Sequence, residues 1–366
     1  MTMLPWETNA QEYDLLFDHK CEHIEKSMLP LSLPTAERHA STTESYRVRA
    51  EFRVWHDEDD IDYVMFDPAS PRTPVAIKDF VPALAPIRAL MPKLLAYLKS
   101  RPALRRKLFQ AEFMATTTKE LLVTLIYHRP VDDQWELEAS ELAKEFDISV
   151  VGRSRKQKRV IGQDYVSDQF CVNDRWYRYR QYEQSFVQPN APVNQKMLNW
   201  AWTHSAQCPG NLLELYCGNG NFTLPLASQF PEVIATELSK SGTRAALENL
   251  DDNHIDNVAV IRLSAEEVSQ AMAGVREFRR LAALPKPLSE YDLRSVFVDP
   301  PRAGLDDATL ECVRQFEAIL YVSCNPATLK QNLEALADTH SVKHFALFDQ
   351  FPYTPHIESA VLLQRI

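Results

Sequence analysis

The sequence predicts an α/β protein in two parts: an α/β domain over residues 1–180, then a doubly wound domain built on a parallel sheet over residues 181–366. Three observations carry this expectation. With 366 residues, 45% hydrophobic and 25% charged, the chain has ordinary globular composition and length for about two domains. From about residue 190, apolar runs of strand length alternate with helical patterns, the texture of parallel strands joined by covering helices. One of those runs, Leu212 to Tyr216, opens directly into a glycine turn, Gly218-Asn-Gly220. The 23 prolines against 8 glycines, with no fixed-period repetition, exclude a repeat array and a low-complexity chain. No uncharged apolar run reaches the length of a membrane-spanning helix, and the first residues are polar and acidic, so the cytoplasm is the expected compartment. The six cysteines, at 21, 171, 208, 217, 312 and 324, form no C-x-x-C pair. Neither a disulfide framework nor a metal or iron–sulfur site is expected from that spacing.

In the first part, the net charge of −10 hides an uneven distribution. Residues 46–110 carry 12 Lys/Arg against 8 Asp/Glu and residues 150–180 carry 8 against 3, whereas 1–45 (3 against 8) and 111–149 (3 against 9) are acidic. Residues 46–55 alternate as a strand, with Arg47, Arg49, Glu51 and Arg53 on one face and Tyr46, Val48, Phe52 and Val54 on the other. A sheet with a cationic face follows. The runs 153–159 and 175–180 border or interleave cations with aromatics, a composition suited to phosphate contact and base stacking. Each cluster taken singly reads equally well as a solvated face; three of them in one half of an acidic chain favour an RNA or DNA partner.

In the second part, strands are expected at 211–216, 232–237, 258–263, 295–299 and 318–323, with an antiparallel end at 342–348 and 359–364, and helices at 240–253 and 327–339. The charged insertion 273–293 suggests no function. The glycine turn follows the first of these strands, where a Rossmann-like sheet brings backbone close to a nucleotide-like ligand. Thr223 stands where a dinucleotide fingerprint has its third glycine, which weakens a nicotinamide-cofactor reading. Glu237 ends the next strand, where a carboxylate can accept both hydroxyls of an adenosine ribose, a combination that suits S-adenosylmethionine. Asp299 ends a buried strand and is followed by Pro300-Pro301, which stiffen the turn and fix its direction. Cys324 follows another strand just ahead of a helix start, where the helix dipole favours a thiolate and a lowered thiol pKa is expected. A proline-punctuated loop, 349–359, returns to the same edge with His356 and Glu358.

LELYCGNGNF (213 onward, with Leu212 before it), FVDPPRAG, YVSCNP and the terminal FPYTPHIES together resemble the RNA uracil-C5-methyltransferases, over nearly the whole chain. Within them the resemblance is to the tRNA branch acting on uracil 54, since the ribosomal-RNA enzymes generally carry an accessory domain and a four-cysteine cluster that this sequence lacks. The resemblance implies an S-adenosylmethionine-dependent methyltransferase domain preceded by an α/β RNA-binding domain, acting as a monomer on the T-arm of tRNA, with no metal. It implies Cys324 as nucleophile and Glu358 as base, and it assigns the cofactor to Gln188, Tyr216, Asn221, Glu237 and Asp299. Arg47, Arg49, Arg53 and Phe109 are the expected RNA contacts, Arg53 and Phe109 being the two that the resemblance supports. Arg302 stands where cytosine-C5 enzymes carry a second cysteine and N6-adenine enzymes an aromatic residue, which disfavours both. A different class of function also stays open: an RNA-folding module in which methylation is secondary, separable by a Cys324→Ala protein.

Overall fold

The computed structural model describes residues 4, 6–58, 60–67 and 69–366. Among these, strands form an eight-stranded sheet, a seven-stranded sheet and a separate hairpin. The larger sheet runs, edge to edge, Glu37–His39, His340–Phe348, Glu358–Arg365, Ala318–Ser323, Leu293–Val298, Asn211–Leu215, Val233–Thr236 and Val258–Ile261. The last five of these are mutually parallel, and Glu358–Arg365 runs antiparallel to both of its neighbours. Chain order reverses at Asn211–Leu215, and such a switch point opens a crevice at the carboxyl ends of the strands. Every residue of Asn211–Leu215, Val233–Thr236 and Ala318–Ser323 is buried, as strands covered on both faces require. The expected doubly wound sheet is present with its antiparallel end, and the helices Lys240–Asp252 and Pro326–Leu336 stand where they were expected.

One allocation differs from the sequence reading. Strand Glu37–His39 pairs in parallel with His340–Phe348, with Glu37 opposite Ala346 and His39 opposite Phe348. The helix Tyr13–Met28 buries Tyr13, Phe17, Cys21, Ile24 and Met28 in one core with Leu329, Leu333 and Ile357. Residues 13–39, placed by sequence with the N-terminal domain, therefore pack on the larger sheet. The helix carries a clear apolar stripe, but a stripe states only that a face is buried and not which sheet covers it.

The seven-stranded sheet runs Pro74–Ala76, Asp60–Phe66, Arg49–Asp57, Leu108–Ala115, Leu121–Tyr127, Ser149–Ser154 and Gln157–Ile161. The expected alternation holds in Arg49–Asp57, where Ala50, Phe52 and Val54 are buried and Glu51 and Arg53 are exposed. Phe52 meets Phe113 edge-on, ring centroids 5.9 Å apart, and Ala85–Lys99 and Asp133–Phe146 contribute helical side chains to the same core. The hairpin Tyr165–Val172 and Arg175–Tyr182 then leads, through residues 183–190, into helix Ala191–Ser205. No helix among the described residues is long and apolar enough to cross a membrane.

Candidate active site

Three parallel strands deliver three of the expected residues to the crevice: Tyr216 follows Leu215, Asp299 follows Val298, and Cys324 follows Ser323. Tyr216 has φ +62°, a left-handed conformation unusual for a bulky residue and costly unless the surroundings hold it, of the sort concentrated at ligand sites. Gly218 (φ +59°) and Gly220 (φ +84°) complete the turn. A Cβ placed on Gly218 would meet nothing within 4 Å, so the turn borders open space. Beside it, Glu237 accepts hydrogen bonds from the backbone N–H of Gly218 (3.0 Å) and of Ser239 (2.6 Å). These bonds fix its carboxylate at the mouth of the turn and leave each oxygen with further lone pairs. Asn221 exchanges two amide hydrogen bonds with Asn194, at 3.0 and 2.9 Å. Gln188 accepts from Gln350 Nε2 at 3.3 Å, and Gln350 Oε1 accepts from the Asn190 N–H at 3.0 Å. Gln350, 1% exposed, is a residue the sequence reading did not single out.

The antiparallel register joins nucleophile and base candidates. Ser323 lies opposite Ser359, so the next pair outward brings Cys324 beside Glu358. Asn325 caps the following helix by accepting from the Ala327 N–H at 3.2 Å. Glu358 is buried, and its Oε2 finds no hydrogen-bond partner among the described residues. Burial, then the nearby Asp299 carboxylate, raises the Glu358 carboxyl well above the usual range, with Arg302 opposing. Burial pushes Asp299 up to about 7. The thiol differs from expectation: burial first, then the fields of Glu358 and Asp299, push the Cys324 pKa up, and Arg302 only partly offsets them. The reason is scale, because a helix N-terminus contributes at most about 1–2 kcal/mol while desolvation and two carboxylates act together.

Two more charged residues belong to this site: Arg302, which the sequence marks only as standing where other methyltransferases differ, and Glu214, which the sequence does not single out. Arg302 is exposed, lines a cavity of about 700 Å³ with Cys324, His356 and Lys330, and acts electrostatically on both Cys324 and Glu358. Glu214, 1% exposed, is pushed up to about 8 by burial. Its signal was available: a carboxylate within the all-apolar run Leu212-Leu213-Glu214-Leu215 is out of place in a buried strand unless it is neutral or functional.

The loop leading to Glu358 is held from the N-terminal helix. Lys20 Nζ lies 2.6 Å from Asp349 Oδ1 and donates to the carbonyls of Phe351 (3.1 Å) and His356 (3.0 Å). Tyr13 donates to Asp349 Oδ2 at 2.8 Å. These contacts explain why residues 13–39 belong with the larger sheet: they brace the segment that places Glu358.

The cationic clusters divide into two kinds. Arg53 lies over the ring of Phe109 at 3.5 Å, and Phe109 packs on His128 with centroids 4.1 Å apart, giving a cation–aromatic–imidazole stack on the N-terminal sheet. His128 was not anticipated. Arg47 and Arg49 instead turn toward protein: Arg47 Nε donates to the Arg49 carbonyl (2.9 Å), and Arg49 donates to the carbonyls of Ser185 (3.3 Å) and Glu183. Arg159 pairs with Asp133 and Glu136, Arg153 with Glu183, and Arg180 with Asp252, so much of the charge in the runs 153–159 and 175–180 is neutralised within the fold. Elsewhere Glu37, His204 and His344, from three distant segments, come within 4.8 Å of one another. His204 Nε2 and Glu37 Oε1, 3.3 Å apart, already pair, and the rings of His204 and His344 pack with centroids 4.0 Å apart.

Comparison with known proteins gives one answer. The sequence profile described as tRNA (Uracil-5-)-methyltransferase matches residues 12–366. A tRNA/tmRNA (uracil-C(5))-methyltransferase of Acinetobacter baumannii is 51% identical, covering 98% of this chain and 100% of its own. That of Pseudoalteromonas atlantica is 48% identical over 99% and 100%. A Pyrococcus abyssi tRNA (uracil-54, C5)-methyltransferase, crystallised with S-adenosyl-L-homocysteine, shares the fold at a TM-score of 0.72 and 20% identity, over 96% of this chain and 83% of that one. With a profile spanning nearly its whole length and relatives at half identity, the chain belongs to the tRNA (uracil-5-)-methyltransferase family.

Proposed function

We propose that the protein methylates C5 of the T-loop uridine, position 54, of tRNA in the cytoplasm, with S-adenosylmethionine as methyl donor, and that T-loop-like sites in other RNAs are substrates too. The single observation that carries the proposal is the register that sets Cys324 beside Glu358 at the switch-point edge of the sheet. The relatives' names, one of which specifies uracil 54 and others tmRNA, support the choice of substrate. The cofactor fits the residues present: open space beside Gly218 adjoins the anchored Glu237 carboxylate, which suits a ribose diol. Gln188, Tyr216, Asn221 and Asp299 would complete its cradle. When bound, it supplies the electrophilic methyl group that the activated C5 takes.

Uracil C5 is a weak nucleophile. Cys324 as thiolate adds to C6, placing electron density on C5 and the O4 enolate. Once C5 is methylated it still carries its proton, which Glu358 as carboxylate removes; the electrons then expel Cys324 from C6 and restore the aromatic ring. Arg302 favours the charged forms of both groups. The target base must leave its stack to reach Cys324, and the Arg53–Phe109–His128 stack suits an RNA loop by cation contact and base stacking. Arg49, with its head on the carbonyls of Ser185 and Glu183, serves to hold the N-terminal sheet against that segment, and Arg47 braces the Arg49 carbonyl.

A Glu358→Gln protein tests this scheme. With unmodified tRNA and S-adenosylmethionine it should accumulate a denaturation-resistant protein–RNA adduct carrying the new methyl group, absent in Cys324→Ala. Free methylated product at the normal rate from either variant would refute the assignment.

A further inference from the structure

The face of helix Lys240–Asp252 that lies under the glycine turn also holds the hairpin. Gly242, Ala246, Asn249 and Asn253 recur at i, i+4, i+7 and i+11, one face of the helix and its C-cap. At Gly242 a Cβ would come within 3.2 Å of the Gly218 carbonyl, and Ala246 lies 3.7 Å from where a Cβ on Gly220 would be. One turn further, Asn249 Oδ1 accepts from the Arg180 N–H (2.7 Å), while its Nδ2 donates to the Asn219 carbonyl (2.9 Å) within the glycine turn and to the Arg180 carbonyl (3.4 Å). Asn253 repeats the hairpin half of this pattern, accepting from the Arg178 N–H (2.8 Å) and donating to the Arg178 carbonyl (2.6 Å).

The match is geometric. Four residues of helix advance about 6 Å, and two residues of strand advance about 6.6 Å. Two side-chain amides spaced i, i+4 can therefore serve as two rungs of a missing strand along the free edge of Arg175–Tyr182. Arg180, paired with Asp252 at 2.6 Å, locks the same junction, and Tyr179 donates to the Asn221 carbonyl at 3.1 Å. Asn249 is fully buried and is the residue whose one amide touches both partners.

We propose that Asn249 is a positioning residue that couples the two substrates: the hairpin of the N-terminal half and the cofactor turn move as one unit through its amide, so RNA and cofactor strengthen each other's binding. This rests on the cofactor and RNA readings above. Coupling of this sort is reciprocal, each ligand raising the affinity of the other by the same factor.

The experiment measures tRNA affinity with and without saturating S-adenosyl-L-homocysteine, an unreactive probe, for the full-length protein and three variants. The expected result is tRNA binding about 5-fold or more tighter with the probe in the wild type, with less than 2-fold enhancement in Asn249→Asp. That variant keeps the acceptor for Arg180 but loses the donor to Asn219. Tyr179→Phe should reduce the enhancement. Asn253→Ala, which weakens hairpin docking and leaves the Asn219 bond, should retain at least part of it. Where both ligands bind the wild type and no enhancement is seen, or where Asn249→Asp keeps it in full, the coupling role is overturned while the proposed function stands. Failure of tRNA or probe to bind the wild type overturns that function and this role together.

Discussion

The proposed roles of Cys324 and Glu358 need both in their ionised forms, and the site raises the pKa of each by burial and neighbouring carboxylates. Methylation by the purified protein should therefore climb as pH rises through neutrality into the alkaline range. Arg302→Gln removes the cation that lowers both pKa values, so the rising limb of the pH–rate profile should move to higher pH; an unmoved limb would deny Arg302 that role. Glu214 gives a stability counterpart with a definite sign. Its folded-state pKa of about 8 exceeds the ordinary value of 4.5, so the folded protein binds the extra proton, and this contribution is complete below pH 4.5 and lost as pH rises through 8. Ligand-free protein should melt at progressively lower temperature from pH 5 to pH 9, and Glu214→Gln, which keeps a neutral side chain, should flatten that slope. At this scale the sequence was informative where residue type and turn chemistry coincide, as at Asp299-Pro-Pro and Cys324-Asn-Pro. It was uninformative about the thiol's environment, because burial, the largest cause of its raised pKa, is set by tertiary packing that no local pattern states.

Elements place these groups, and the N-terminal helix has the least obvious share in that. Lys20 and Asp349, with side chains 8% and 1% exposed, form a buried pair whose removal from one side leaves an uncompensated charge, a loss of about 3–5 kcal/mol. Lys20→Met should lower the melting temperature and reduce methylation, because residues 349–357 then no longer hold Glu358 against Cys324. Unchanged activity would show that the loop holds itself. A packing test of the N-terminal domain lies at Gly152, where a Cβ would stand 2.5 Å from the Trp135 indole. Gly152→Ala should cost about 1–3 kcal/mol by overpacking, measurable by denaturant titration. The parallel strands and their helices were readable from apolar runs and turn residues, because their signals are local. The docking of residues 13–39 was not, since pairing between Glu37–His39 and His340–Phe348 spans three hundred residues and leaves no local mark.

Across the whole molecule, the larger sheet and the bracing helix line one crevice, and the hairpin is tied to its glycine turn through Tyr179 and the Asn221 carbonyl. The cationic surface that suggested nucleic acid proves narrower than its residue count, because Arg47, Arg49, Arg153, Arg159 and Arg180 all have partners within the protein. What the sequence could not distinguish is a charge presented to a ligand from one that closes an internal ion pair, since both have the same composition. Of the four expected RNA contacts, Arg53 and Phe109 remain presented, with His128 beside them. The most direct test of the account is mass spectrometry of nucleosides and mapped fragments from unmodified tRNA incubated with the protein and S-adenosylmethionine. The expected product is 5-methyluridine confined to position 54 of the T-loop. Methyl groups on cytosine or adenine, 5-methyluridine elsewhere in the tRNA, or binding without methylation would contradict it.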